Sequence, residues 1–348
     1  MNKLNTYERI DTMDYLRGFA LLGVLLVNSF QVMDSSNYNE LHGVLYSIFN
    51  REFYPILFFL FGFGCYLFMN RSKQKINNRY LLYFRRIGFL FVLGLIHTLY
   101  APPGITDVLM VYAVLGLFMA IFFKRSKWNN LIITISLIAL SIVTAFYQPY
   151  YGERIEWLDL LSNISKWFAP MMLGFTMGQF NFFENMHGKL KYISVFLIVN
   201  ICTYVSLFYI KLSIDITPAG TEMLEDYIVP FMMMSSFLII LQWDRAKMIL
   251  SPLKFYGQMS LTNYLAQSAL LIVFSFLIGM TPIHSLIVCF LIHAILITFS
   301  IVWKSILKWG QLNCYYDTLL IGRKFRIRKK SLKRVLMKLD LPNYRKIC

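Results

Sequence analysis

Long apolar segments with almost no charge recur along nearly the whole chain. Several are slightly shorter than the roughly 20 residues that cross a bilayer as a helix, but adjoining residues extend them. The last segment has no formal charge and is too long for one crossing, and Gly-Met-Thr-Pro at 279–282 divides it with a turn. The segments are 18–33, 53–69, 87–106, 108–123, 128–147, 167–183, 192–210, 227–243 and 255–303. We therefore predict an all-α polytopic membrane protein with about ten transmembrane helices.

The composition agrees with this prediction. Hydrophobic residues make up 57% of the chain and charged residues 15%, whereas soluble domains carry about 25% charged residues. No Walker phosphate loop, HExxH or GxSxG motif occurs, and the five cysteines show no metal-ligand spacing, so no metal site is predicted. We expect three parts: a cytoplasmic N-terminus (1–13), a helical bundle (14–303) and a basic cytoplasmic tail (304–348).

The distribution of Lys and Arg predicts the orientation. With the N-terminus in the cytoplasm, 29 cations fall in the inner segments and four in the outer ones. Both termini are therefore predicted to be cytoplasmic, in a multi-pass protein of the plasma membrane. The basic tail also raises the alternative of a nucleic-acid partner. Its position beside the last membrane helix favours an anchor on anionic lipid, so we predict no nucleic-acid binding.

Two polar residues in the first apolar segment form one stripe. Arg17 and Asn28 are eleven positions apart and return to nearly the same angle of a helix. Polar groups are costly in lipid, so such a stripe is typical of a helix face turned to a cavity or a partner. Two simpler interpretations stay open: Arg17 reaches the headgroups, and Asn28 makes an interhelical hydrogen bond.

A histidine and a carboxylate flank the short Pro-Pro-Gly turn after the third segment. His97 lies near the end of one predicted helix and Asp107 opens the next, so the hairpin brings them together. An imidazole base with an orienting carboxylate is one interpretation. The other is that Asp107, with Thr106, caps a helix while His97 fills a polar packing niche.

Two further sets of polar residues are candidates. Ser260, Asn263 and Gln267 share one face of a predicted helix, where they line a tunnel or bond neighbouring helices. His42 precedes an aromatic segment broken by Pro55 and is predicted at the outer surface, where a lone histidine is more often incidental.

Several of these stretches make the chain similar to a known family. The stretches "RIDTMDYLRGFALLGVLLVNSF", "REFYPILFFLFGFG", "RRIGFLFVLGLIHTLYAPPGITDVLMVYAVLG", "FAPMMLGFTMGQF" and "YGQMSLTNYLAQS" occur in its order. The chain resembles the YeiB-like, domain-of-unknown-function 418 family of bacterial membrane proteins from residue 9 to about 325. That family is similar to transmembrane acyltransferases such as the heparan-alpha-glucosaminide acetyltransferase, and the shared D-x-x-R-G element corresponds to Asp14–Gly18 here.

The resemblance also implies roles for individual residues. The family's histidine after "LGL" matches His97 and its acidic residue at the following hairpin matches Asp107, whereas His42 matches a heparan-type histidine only loosely. The family's G-P-L-E-W motif corresponds to "GQLNC" at 310–314, in which three of the five residues differ. Any role of that motif on the cytoplasmic face is therefore in doubt for this chain.

Residues and resemblance together suggest an acyl transfer from cytoplasmic acyl-CoA, for example acetyl-CoA. In this hypothesis the donor phosphates lie near Arg17, Arg85 and Arg86, and the pantetheine arm passes the amides. His97, or in second place His42, removes the proton of an acceptor at the outer face while Asp107 holds the imidazole. The cofactor-binding set is Arg17, Asn28, Arg85, Arg86, Asn263 and Gln267.

The expected partners follow from this hypothesis. They are membrane lipids, acyl-CoA and a glycan, lipid or small-molecule acceptor in the cell envelope; no tightly bound cofactor is expected, and a homodimer is left open. Two alternatives remain: a transporter or flippase, and a catalytically silent membrane partner. No obvious repeat relates the two halves of the sequence, which weakens the transporter interpretation.

Overall fold

The computed structural model describes residues 10–32, 53–72, 78–100, 107–147, 155–184, 186–213, 218–277 and 281–307. Within these ranges the chain is helical and contains no β-strand. The α-helices are α1 (Asp11–Gln31), α2 (Phe53–Ser72), α3 (Arg79–Tyr100), α4 (Val108–Met119), α5 (Lys127–Phe146), α6 (Glu156–Gln179), α7 (Met186–Ser213), α8 (Pro218–Ile240), α9 (Asp244–Ile249), α10 (Ser251–Gln258), α11 (Ser260–Leu277) and α12 (Pro282–Leu307). In the described part of the chain, a 3₁₀ turn, Ala120–Phe122, extends α4.

Eight of the described helices are long and apolar enough to cross a membrane. They are α1, α2, α3, α5, α7, α8, α11 and α12. The α4 segment is apolar but short, ending at Phe122, and α6 carries Glu156, Asp159 and Lys166 in its first half. The all-α membrane class is therefore confirmed, while the number of crossings and the side on which the termini lie stay predictions.

Two helices begin well before the apolar segments that they contain. The apolar runs beginning at 87 and 167 belong to helices that begin at Arg79 and Glu156, because polar residues at helix ends continue the backbone hydrogen bonding beyond the apolar part. The long uncharged stretch is divided once more than expected. Between α10 and α11, Met259 has φ −109° and ψ 31°, which interrupts the helix.

Helix α1 lies at the centre of the bundle. It packs against α2, α8, α10, α11 and α12, and 78% of the residues in its most apolar 18-residue stretch are buried. The α7 helix contrasts with it, because only 11% of the residues in its most apolar 18-residue stretch are buried. A helix that is apolar on all sides and mostly exposed is typical of contact with lipid. Asp14, Asn28 and Ser29 of α1 are accordingly buried.

Glycines permit the closest helix crossings. A Cβ atom on Gly18 would collide with the Leu253 carbonyl of α10, and one on Gly257 would collide with the Asp14 carbonyl of α1. Small residues allow helix backbones to approach in this way inside membranes. The glycine of the D-x-x-R-G element thus has a packing role, because it allows α10 to lie directly against α1.

Long-range contacts show which helix ends meet. The Tyr15 hydroxyl donates to the Lys247 carbonyl at 3.0 Å, and Lys254 Nζ lies 2.5 Å from Asp11 Oδ2. We call this the Asp11 end of the bundle. The ends of α2 and α6 also lie there, because Gly64 of α2 is next to Arg17 and Gly178 of α6 is next to Tyr66 of α2. The turn between α4 and α5 joins them, because Asn130 of α5 donates to Gln179 at the end of α6. Among the described residues, cations are concentrated at this end.

Candidate active site

The α3–α4 hairpin brings His97 and Asp107 together, as the sequence predicts. Asp107 is the N-cap of α4, and its Oδ1 accepts a hydrogen bond from Leu109 N–H at 3.0 Å. The same oxygen lies 3.4 Å from His97 Nδ1. Asp107 therefore caps a helix and also faces the imidazole. The role of His97 as a base stays a prediction.

Small and hydroxylated residues of α3 fix the second carboxylate oxygen. Thr98 Oγ1 lies 3.4 Å from Asp107 Oδ2 and donates to the Gly94 carbonyl at 2.9 Å. A Cβ atom on Gly94 would come within 2.7 Å of both Asp107 Oδ2 and Met110 N. Glycine is therefore required at position 94 for the carboxylate to lie where it does.

His97 is completely buried, yet its ring is not hydrogen bonded within the described residues. Its accessible fraction is 0%, and neither ring nitrogen has a partner of good geometry in that part of the chain. The ring packs against Tyr100 at 5.1 Å and Tyr264 at 5.3 Å between centroids. Buried polar groups usually have a partner, so an unsatisfied imidazole beside a carboxylate makes His97 a candidate functional residue.

Tyr264 lies beside this pair, and Tyr54 and Tyr112 are further tyrosines in the bundle that the sequence analysis did not single out. Tyr264 OH accepts from Val108 N–H at 3.4 Å, and Tyr54 OH donates to Asn28 Oδ1 at 2.8 Å. Tyr112 is buried, and its hydroxyl has no hydrogen-bond partner within the described residues. With 22 tyrosines in the chain, composition and spacing offer no signal that selects these three.

The two polar residues of the α1 stripe have different surroundings. Arg17 Nη1 lies 3.3 Å from Asp14 Oδ1, and Gln258 Nε2 donates to Asp14 Oδ2 at 3.0 Å. A Cβ atom on Gly64 of α2 would lie 3.9 Å from Arg17 Nη2, so the guanidinium reaches between α1 and α2. Arg17 also interacts electrostatically with Tyr112. Asn28, bonded to Tyr54, lies near the other end of α1.

The amides of α11 join helices. Asn263 Nδ2 donates to the Tyr256 carbonyl at 2.8 Å and to Ser300 Oγ at 3.0 Å. Gln267 Nε2 donates to the Leu21 carbonyl at 3.0 Å and contacts the Tyr256 hydroxyl. These bonds are the interhelical alternative left open by the sequence. A part in donor binding stays a prediction for both amides.

His293 provides a comparison with His97. Its Nε2 lies 3.2 Å from the Leu22 carbonyl and its Nδ1 lies 3.3 Å from Tyr256 OH. A carbonyl only accepts, so Nε2 carries the proton and Nδ1 accepts from the tyrosine. One neutral tautomer satisfies the whole ring, as expected of a histidine that stabilises packing.

Arg85 and Arg86 are about three helical turns from His97 along α3. Arg85 and Arg86 lie on the first two turns of α3, at the Asp11 end, and the Arg86 guanidinium lies 5.5 Å from the Phe68 ring centroid. His42 and the 310–314 segment lie outside the described residues. Their predicted roles are therefore not tested by the structure.

Comparison with known proteins gives a family model and two relatives. Residues 177–313 match the model described as protein of unknown function (DUF418). An uncharacterized 39.9 kDa protein in the amylase 3' region of Bacillus acidopullulyticus is 32% identical over 371 aligned positions, which cover 95% of this chain and 99% of the relative. The uncharacterized protein YxaH of Bacillus subtilis (strain 168) is 28% identical over 185 positions, covering 46% of this chain and 44% of YxaH.

Proposed function

Because the chain belongs to the DUF418 family of membrane proteins, whose function is unknown, we propose its activity from its buried polar site: it is an integral-membrane acyltransferase. It moves an acyl group such as acetyl from acyl-CoA to a hydroxyl or amine acceptor. His97 is the general base and Asp107 orients it. The single observation that carries the proposal is the fully buried His97, whose Nδ1 lies 3.4 Å from Asp107 Oδ1.

The geometry assigns a role to each ring nitrogen. With the carboxylate facing Nδ1, the neutral imidazole holds its proton on Nδ1 and presents the Nε2 lone pair to a substrate. Nε2 takes the acceptor proton as the acceptor oxygen or nitrogen bonds to the thioester carbon. The carbon–sulfur bond then breaks, and the CoA thiolate takes the proton from the imidazolium. Asp107 stabilises the imidazolium between these two steps.

The placement of cations supports a donor at the Asp11 end. Arg85 and Arg86 lie there on α3, and Arg17 reaches toward α2 from the first turns of α1. Guanidinium groups suit the phosphates of CoA because they donate in pairs. Following the positive-inside rule, we place this end in the cytoplasm of a bacterial plasma membrane, with ten crossings and both termini inside.

The direct test measures acyl transfer from radiolabelled acetyl-CoA in purified, lipid-reconstituted protein, with a cell-envelope extract as the source of acceptors. Wild-type protein releases CoA faster than the uncatalysed rate, and His97→Ala loses this activity while still binding acetyl-CoA. His187→Ala is the matched control, because His187 is exposed at the Asp11 end of α7. Equal CoA release by wild type and His97→Ala would refute the proposed base.

One observation favours a second candidate, an ion-coupled transporter. Lys166 Nζ lies 2.5 Å from Asp226 Oδ2, and Asp226 is 3% exposed. Lys166 follows the start of α6 by ten residues, which is about 15 Å along a helix. Ionisable residues at such depth often belong to ion pathways. Substrate-dependent proton flux in vesicles, abolished in Asp226→Asn and kept in His97→Ala, would favour this alternative.

A further inference from the structure

The wall of the bundle has a cleft between α4 and α6. Both helices pack on α2, and they do not pack extensively on each other. The space between them forms a cavity of about 240 Å³. Its lining residues are Met110, Val111, Val114, Leu115, Asn163, Ile164 and Trp167.

The chemistry of the cleft matches hydrocarbon. Six of its seven lining side chains are apolar or aromatic, and Val114 and Ile164 are exposed at its mouth. From Val108 to Phe122 the α4 segment rises about 22 Å, less than the roughly 30 Å of a bilayer's hydrocarbon core. With the proposed ten crossings this segment fits within the hydrocarbon core, so the mouth of the cleft at Val114 and Ile164 would open to lipid chains.

Aromatic ring contacts connect the cleft with other buried residues of the bundle. The Phe58 ring of α2 lies 5.1 Å from Trp167 and 4.8 Å from Tyr112, measured between centroids. The Trp167 ring also lies 6.1 Å from Tyr54, whose hydroxyl bonds Asn28. These ring contacts thus lead from Trp167 in the cleft wall through Phe58 to Tyr112, and directly to Tyr54.

Along α4, the distance from Asp107 to the cleft matches the distance from the polar head to the chain of an amphipathic molecule. Asp107 precedes Val111 by four residues, which is one helical turn or about 6 Å along the axis. A ligand with its chain beside Val111 and Val114 therefore has its polar head at the level of Asp107. Tyr112 follows Val111 along α4, and its buried hydroxyl has no hydrogen-bond partner within the described residues.

We infer that the acceptor is a membrane lipid, whose hydrocarbon chain lies in the α4–α6 cleft and whose hydroxyl or amine reaches His97. This inference rests on the proposed acyl transfer. The head group loses its proton to His97 as its oxygen or nitrogen bonds to the thioester carbon, and CoA leaves with that proton. A water-soluble acceptor gains nothing from an apolar cleft, whereas a lipid enters laterally without crossing water.

The first experiment tests the cleft without requiring catalysis. Purified protein in detergent is irradiated with a phosphatidylglycerol that carries a diazirine in its acyl chain, and adducts are mapped by mass spectrometry. We expect saturable adducts on residues 110–115 and 163–167 that unlabelled lipid competes away. Val114→Trp, which fills the cleft, should reduce them several-fold. Val199→Trp, at an exposed position of α7, should leave them unchanged. Equal labelling in both variants would overturn the inference.

The second experiment follows the acyl group. Protein in vesicles of bacterial lipid extract receives radiolabelled acetyl-CoA, and products are partitioned between organic solvent and water. We expect the label in the organic phase, several-fold less for Val114→Trp than for Val199→Trp. CoA release with all label in water would overturn the lipid acceptor and leave the acyltransferase proposal intact. Absence of CoA release with lipid and with envelope extract alike would instead refute the acyltransferase proposal itself.

Discussion

The substitution Gly94→Ala tests whether the α3–α4 contact sets the candidate site. The added Cβ would lie 2.7 Å from Asp107 Oδ2 and from Met110 N, whereas ordinary contact begins at 3.4 Å. Both atoms must therefore retreat by about 0.7 Å. The Met110 nitrogen is backbone, so a side-chain rotation does not relieve the collision and α4 must move away from α3.

The expected cost has two parts. Overpacking of this kind destabilises proteins by about 1–3 kcal/mol. Displacing Asp107 also lengthens its 3.4 Å separation from His97 Nδ1. Misplacement on the order of 1 Å reduces turnover by about a hundredfold in enzymes, so a loss of roughly ten- to a hundredfold is expected for a smaller shift.

The same helix supplies a matched control. A Cβ on Gly88 meets no atom within 4 Å among the described residues, so Gly88→Ala should be neutral or stabilise α3 by up to about 1 kcal/mol. Thermal unfolding in detergent reports stability, and CoA release reports turnover. If Gly94→Ala matches Gly88→Ala in both measurements, the close contact at Gly94 does not position Asp107 and our account of the hairpin is wrong.

Three further predictions concern orientation, the donor and the buried ion pair. A cysteine at Ser213 should react with an impermeant maleimide in intact cells and one at Arg245 only after permeabilisation; the reverse pattern would invert the proposed topology. Arg17→Gln should weaken acetyl-CoA binding, measured by calorimetry, more than Arg245→Gln does, and equal effects would limit Arg17 to a structural role. Asp226→Leu should destabilise the protein by about 3–5 kcal/mol, because Lys166 then lies buried without its partner. Adding Lys166→Met should recover most of that loss in thermal unfolding, and no recovery would mean that the ion pair itself contributes little.

The sequence determined what lies close along the chain. Apolar segments specify membrane helices because every backbone group in lipid must be bonded within its own segment. The sequence predicts that His97 and Asp107 lie together, because a short connection places consecutive helices side by side. In the structure His97 Nδ1 lies 3.4 Å from Asp107 Oδ1. Arg17 also stands out in the sequence, because a charge within an apolar segment is costly in lipid.

Only the tertiary structure decided which faces meet across long stretches of chain. Hydropathy predicts that α11 spans the membrane, but it does not predict which face meets which helix. Asn263 and Gln267 are therefore compatible with a tunnel and with interhelical bonds, and the bonds are what the structure shows. The tyrosines around His97 and the Lys166–Asp226 pair, 60 residues apart, carry no local signal for the same reason. A helix sets its own residue spacing at 1.5 Å per step, whereas its partners depend on packing, above all on glycines such as Gly18 that let two backbones touch.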